Sequence, residues 1–165
     1  MTEELNVKIH WHGAYSFDDE EQLKKRGNGI YLLTGKRAGR GYRDDIGIQY
    51  IGITELSFWD RFKDKNHKIH SIKELEIWCG EIQYPSTFTR QHLELSESLI
   101  VYYWQPNLNE RKKVYPPSNT TVVSHWFKRD GEPRLRQHTV LKNLSDVISW
   151  DGIHWRVGNL NIYEE

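Results

Sequence analysis

The sequence holds a single cysteine, Cys79. That excludes an internal disulfide and a cysteine-built zinc cluster. No apolar run approaches the roughly 18 residues that span a bilayer, and the polar, acidic N-terminus carries no signal-peptide pattern. A soluble cytoplasmic protein with no membrane partner is expected. Internal repeats and low-complexity tracts are absent, which excludes solenoid and linker classes. Aliphatic residues are sparse, since hydrophobic residues make up 37% of the chain, but aromatics reach 13% and include seven tryptophans. Large rings therefore supply much of the core volume. At 165 residues the chain suits one domain.

The formal net charge is zero, yet the charges are segregated. From Leu23 to Arg43 there are seven basic residues and no acidic one, while Glu3, Glu4 and Asp18 to Glu21 make the N-terminus acidic. The basic segment lies on the stretch around which the rest is organised. Gly29-Ile30-Tyr31-Leu32-Leu33-Thr34 and Gln49-Tyr50-Ile51-Gly52-Ile53-Thr54 are two short β-prone runs flanking a Gly- and Arg-rich interval. They predict a β-hairpin with a long basic tip. Lys36, Arg37, Arg40 and Arg43 on that tip suit a phosphate-bearing partner, and a solvated loop balanced by acids elsewhere is the competing explanation.

Along the chain, Val7 to Tyr15 is a short aromatic run, with His10 and His12 on one face of a strand. Asp18 to Arg26 predicts a helix, with acids in its first turn and bases in its last. A second helix is expected from Glu55 to about Asn66, capped by Thr54 or Ser57. It presents Phe58 and Phe62 on one face and Arg61 and Lys65 on another. Leu75 to Gln83 reads as a third strand. Ser86 to Trp104 reads as a long helix ended by Pro106, with Glu97 at the edge of its apolar face. A carboxylate there is costly unless it is paired or metal-bound. Thr120 to Phe127 predicts a strand, and Val147 to Val157 a hairpin turning at Asp151-Gly152.

Gly29-Ile30-Tyr31, Tyr50-Ile51-Gly52, Arg61 on the following helix, Glu97 on a later one and Asn109 after a proline resemble, in that order, the GIY-YIG nuclease family. The resemblance covers residues 28–110, with a longer and more basic interval between the two motifs than is usual there. It implies an α+β fold: a small three-stranded mixed sheet flanked by helices. Added to that core are an N-terminal helical segment and a C-terminal antiparallel β-extension over residues 113–165, all within one domain spanning 1–165. It also implies metal-dependent hydrolysis of DNA phosphodiesters. Tyr31 would be the general base, Tyr50 would orient water or phosphate, His67 would join them, and Asn109 would anchor the site.

Residue types make that chemistry workable. Glu97 alone can hold one divalent cation, Mg²⁺ or Mn²⁺, whose remaining ligands are waters and phosphate. Arg61 offers a planar fork to the scissile phosphate. Tyr31 needs a nearby cation, because a free phenol titrates near pH ~10. Lys36, Arg37, Arg40, Arg43 and Lys65 are the expected DNA contacts. Three functions remain open at this point: a stand-alone restriction-type endonuclease, a structure-specific repair or recombination nuclease, and a catalytically silent nucleic-acid-binding module. Cutting both strands of a symmetric site would call for a homodimer.

Overall fold

A computed structural model describes residues 4–37, 46–110 and 116–160. The three central strands are β2 (Gly27–Arg37), β3 (Gly47–Ser57) and β4 (Ile72–Tyr84). β2 and β3 form the expected hairpin, pairing Tyr31 with Gly52 and Leu33 with Tyr50. β4 lies antiparallel on the other side of β2. Arg40 and Arg43, two of the expected DNA contacts, fall outside the described residues.

The sheet does not stop at three strands, and this corrects the expected fold. β1 (Leu5–Tyr15) pairs antiparallel with β4, and β5 (Thr120–Phe127) pairs parallel with β1. β6 (Val147–Trp150) and β7 (Trp155–Gly158) follow, giving one seven-stranded mixed sheet in the order β3-β2-β4-β1-β5-β6-β7. The N-terminal segment is thus mainly a strand. Its helix, α1 (Glu20–Lys25), is six residues long. The C-terminal strands are an integral continuation of the sheet. The physical reason is the edge of β4. Left as the end of a three-stranded sheet it would expose a row of unpaired backbone groups, and β1 covers them. β1 buries Val7, Ile9 and Trp11 on one face and leaves Lys8, His10 and His12 only partly covered on the other, a period-two pattern.

Two cores lie on opposite faces. Successive residues of β2 alternate between them: Ile30 and Leu32 enter one, Tyr31 and Leu33 the other. The larger core packs α3 (Arg90–Trp104) against β1, β2, β5 and β6, and holds Trp11, Trp78, Trp104 and Trp126. Trp11 and Trp126 stack with centroids 5.2 Å apart. The smaller core packs α1 and α2 (Phe58–Phe62) through Leu23, Phe58 and Phe62.

α2 is shorter than expected. Ser57 caps it, accepting from the Asp60 N–H, but Glu55 and Leu56 remain in β3 because the strand extends to pair Ser57 with Gly27. The helix stops at Phe62, and Asp64 then accepts from the Asn66 N–H in a turn. Lys65 therefore lies on that exposed turn and not one helical step beyond Arg61. The last hairpin also turns more widely than a two-residue loop. Asp151 Oδ1 accepts from the Ile153 and His154 N–H groups.

Candidate active site at the open edge of the sheet

β3 is an edge strand, and among the described residues only part of its free edge is covered. After α3 the chain turns at Gln105, in the left-handed region at φ 53°, and runs back along β3. The Leu108 N–H donates to the Gln49 carbonyl at 2.7 Å. Asn109 completes the pairing with its side chain. Its Oδ1 accepts from the Ile51 N–H at 2.9 Å and its Nδ2 donates to the Ile51 carbonyl at 2.8 Å. Asn109 thus acts as one residue of an added strand.

Past Ile51 a cleft of about 460 Å³ opens, lined by Tyr31, Tyr50, Gly52, Arg61, Arg90, Glu97 and the β3 residues 53 to 56. Tyr31 comes from β2, Tyr50 from β3, Arg61 from α2 and Glu97 from α3. Because α2 and α3 pack on opposite faces of the sheet, the arginine and the carboxylate meet only at its edge. Gly52 makes this possible. A Cβ there would lie 2.3 Å from Tyr31 Oη, so only glycine lets the Tyr31 ring pass across β3 towards the cleft. Gly29 is needed for a different reason: its Cβ would fall 2.1 Å from the Gly80 carbonyl of β4.

His67 lies beneath this group and is buried. Its Nδ1 accepts from the Ile69 N–H at 3.0 Å, and its Nε2 is 2.8 Å from Tyr31 Oη. The first bond decides the second. With Nδ1 occupied as an acceptor, the neutral ring carries its proton on Nε2 and donates it to Tyr31 Oη. The Tyr31 hydroxyl proton is then directed away from His67. His67 therefore cannot receive the Tyr31 proton; it supplies a hydrogen bond that favours the phenolate. Burial, with the nearby Arg61 charge in second place, lowers the His67 pKa to about 4, so the ring is neutral at physiological pH.

The tyrosines sit in a contested field. Burial raises the Tyr31 pKa most, and Tyr50 and Glu97 raise it further, while Arg61 lowers it by charge and hydrogen bond. Tyr50 is raised by burial and by Glu97 and lowered by Arg61. Burial, with Glu97 adding to it, thus keeps both phenols protonated. Glu97 is only 8% exposed.

Among the described residues, no three His, Cys, Asp or Glu side chains form a metal-binding group. The cleft offers Glu97 inside and Glu55 at its mouth, where Glu55 pairs with Arg90. One inward carboxylate in an open cleft suits Mg²⁺ or Mn²⁺, which keep several waters and bind through one or two carboxylates plus substrate phosphate.

The other expected contacts divide. Lys36 pairs with Glu74 at 3.4 Å, and Arg37 Nη2 donates to the Asn107 carbonyl at 3.0 Å, which ties the base of the hairpin tip to the strap on β3. The basic residues of the C-terminal region are partly structural. Arg129 pairs with Asp19 at 2.6 Å, and Arg134 donates to the Gly13 carbonyl while lying over the Trp78 ring. Sequence reading passed over Arg90 and Glu55. The one local signal was Arg90 four residues before Glu94, the spacing of a helical ion pair. Comparison with protein-family models, with curated proteins and with solved structures finds no match. The resemblance to GIY-YIG nucleases therefore rests on the residues quoted above, in their order along the chain.

Proposed function

We propose that this chain is a divalent-metal-dependent endonuclease that hydrolyses DNA phosphodiesters by a GIY-YIG-type mechanism. The observation that carries the proposal is the convergence of Tyr31, Tyr50, Arg61 and Glu97, from four separate elements, on one cleft at the sheet edge. Hydrolysis needs an activated water, charge neutralisation on the phosphoryl oxygens and support for the leaving oxygen. Arg61 binds the scissile phosphate by two N–H groups of its guanidinium. Tyr31 acts as a phenolate that the His67 Nε2–H supports, and it becomes a neutral phenol as it takes the proton of the attacking water. Tyr50 orients the water. Glu97 would hold Mg²⁺ or Mn²⁺, which would supply positive charge to the phosphate and the leaving oxygen. With that cation bound, the charge at Glu97 would favour the Tyr31 phenolate where the bare carboxylate opposes it.

The test is cleavage of supercoiled plasmid by the purified chain with Mg²⁺ or Mn²⁺, set against the Glu97→Gln variant. The parent is expected to nick or linearise the DNA. The variant is expected to lose at least a hundredfold in rate while keeping the parent's thermal unfolding profile and DNA affinity. Equal cleavage by both proteins refutes the role of Glu97. No cleavage by the parent with either metal, despite DNA binding, favours a catalytically silent binding module.

A further inference from the structure

Arg90 is the first residue of α3 and reaches the open edge of β3 at the mouth of the cleft. Its Nη1 donates to Glu55 Oε2 at 3.1 Å and its Nε to Glu94 Oε1 at 2.8 Å. Among the described residues, Nη2 has no protein partner. All three side chains are about half exposed: Arg90 53%, Glu55 52% and Glu94 49%. Ion pairs so exposed add little to stability, so folding gives no strong reason for the cluster. Its location gives a functional one. Glu55 and Glu94 fix the guanidinium at the rim of the cleft that holds Arg61, Tyr31 and Glu97. A phosphate arriving there can replace the Glu55 carboxylate on Nη1 and gain Nη2 as a second donor, the planar two-point contact that arginine makes with phosphate.

We infer that Arg90 binds a backbone phosphate flanking the one that is cut, and that Glu55 is the carboxylate that this phosphate displaces. The inference rests on the proposed nuclease function and assigns the cleft a second phosphate subsite. Arg61 acts on the reacting phosphate and Arg90 on its neighbour, which sets the register of the strand across the site. The arrangement carries an asymmetry that a merely structural ion pair lacks. Removing Arg90 takes away a phosphate contact, whereas neutralising Glu55 frees Arg90 and removes a negative charge facing the DNA.

The experiment measures binding of a short duplex by fluorescence anisotropy, with Ca²⁺ in place of Mg²⁺, across a salt titration, for the parent, Arg90→Ala and Glu55→Gln. Steady-state cleavage with Mg²⁺ is measured in parallel. Arg90→Ala is expected to bind 3- to 10-fold more weakly at moderate salt. Its log–log salt slope should be shallower by about 0.9, the value for one lost phosphate contact on B-DNA. Its cleavage defect should fall mainly on KM. Glu55→Gln is expected to bind several-fold more tightly than the parent. If the parent binds and cuts DNA but Arg90→Ala keeps its slope and affinity, the Arg90 subsite is refuted and the nuclease reading stands. If both variants weaken binding alike, the pair is structural and the subsite is again refuted. If the parent shows no salt-dependent DNA binding, the nuclease reading fails and takes the subsite with it.

Discussion

At the scale of single residues, His67 shows how one backbone bond sets the role of a side chain. The Ile69 N–H occupies Nδ1 and forces Nε2 to be a donor towards Tyr31. A glutamine places an N–H donor near the Nε2 position but has no titratable group. His67→Gln is therefore expected to keep cleavage within about tenfold of the parent, while His67→Ala loses considerably more. The same residue has a pH signature. An imidazole titrates near 6.5 in the unfolded chain and at about 4 in the folded one, so the unfolded state binds more protons between those values. Stability from this group is complete above pH 6.5 and falls as the pH drops through that window, by roughly 3 kcal/mol at most. Burial lowers His12 to about 4 as well and also lowers His10 and His125, so only the difference between proteins isolates His67. Urea midpoints at pH 7 and pH 4.5 should fall less in His67→Gln than in the parent; an equal fall would mean that His67 is not held neutral.

At the scale of elements, the cleft exists because the edge of β3 is covered in one half and open in the other. The strap at Leu108 and Asn109 satisfies the edge up to Ile51, next to Tyr50. Asn109→Ala removes two hydrogen bonds to a partly buried peptide unit and is expected to cost about 1–2 kcal/mol of global stability. The local effect should be larger. The Ile51 amide should exchange with solvent markedly faster, and cleavage should fall through misplacement of Tyr50. Native-state hydrogen exchange checks this, and unchanged protection at Ile51 would show that backbone pairing holds the edge without the side chain. Asn109 is a positioning residue in this account, acting through Ile51 on a strand that carries a cleft tyrosine.

At the scale of the whole molecule, the site depends on strands far from it in sequence. α3 carries Glu97, and it is anchored by a core that includes Trp11 of β1, Trp126 of β5 and Ile148 of β6. The Trp126 Nε1–H donates to Asp146 Oδ1, and the Trp11 Nε1–H to Ser124 Oγ. Each large ring so buried removes roughly 150–250 Å² from water, an amount that residues 28–110 alone cannot replace. A fragment of residues 28–110 is therefore expected to lack a cooperative thermal transition and near-ultraviolet tryptophan dichroism. A fragment that melts cooperatively would restore the picture of a self-sufficient three-stranded core.

How much of this was legible beforehand depends on how far apart the determining residues lie. The β2–β3 hairpin, β4, β5 and most of α3 follow from local composition: period-two or 3.6-residue patterning, the Ser57 cap and the stop at Pro106. Four residues that line the cleft were equally legible, since Tyr31, Tyr50, Arg61 and Glu97 stand out by type and order. The hidden part was set by contacts between residues tens of positions apart. Whether β4 ends the sheet or continues into β1 is decided by their antiparallel pairing, from Lys8 with Tyr84 to Tyr15 with Ile77, which no local window contains. The parallel match of β1 to β5 joins segments more than a hundred residues apart, and strand propensity carries no label for its partner. The proton position on His67 comes from Ile69 and Tyr31 together, and the placing of Arg90 comes from Glu55 on another element. Amino-acid type and spacing alone determined which elements could form and which side chains could do chemistry. Burial and edge pairing, which arise only when distant segments pack, decided the extent of the sheet, the opening at β3 and the state of each group within it.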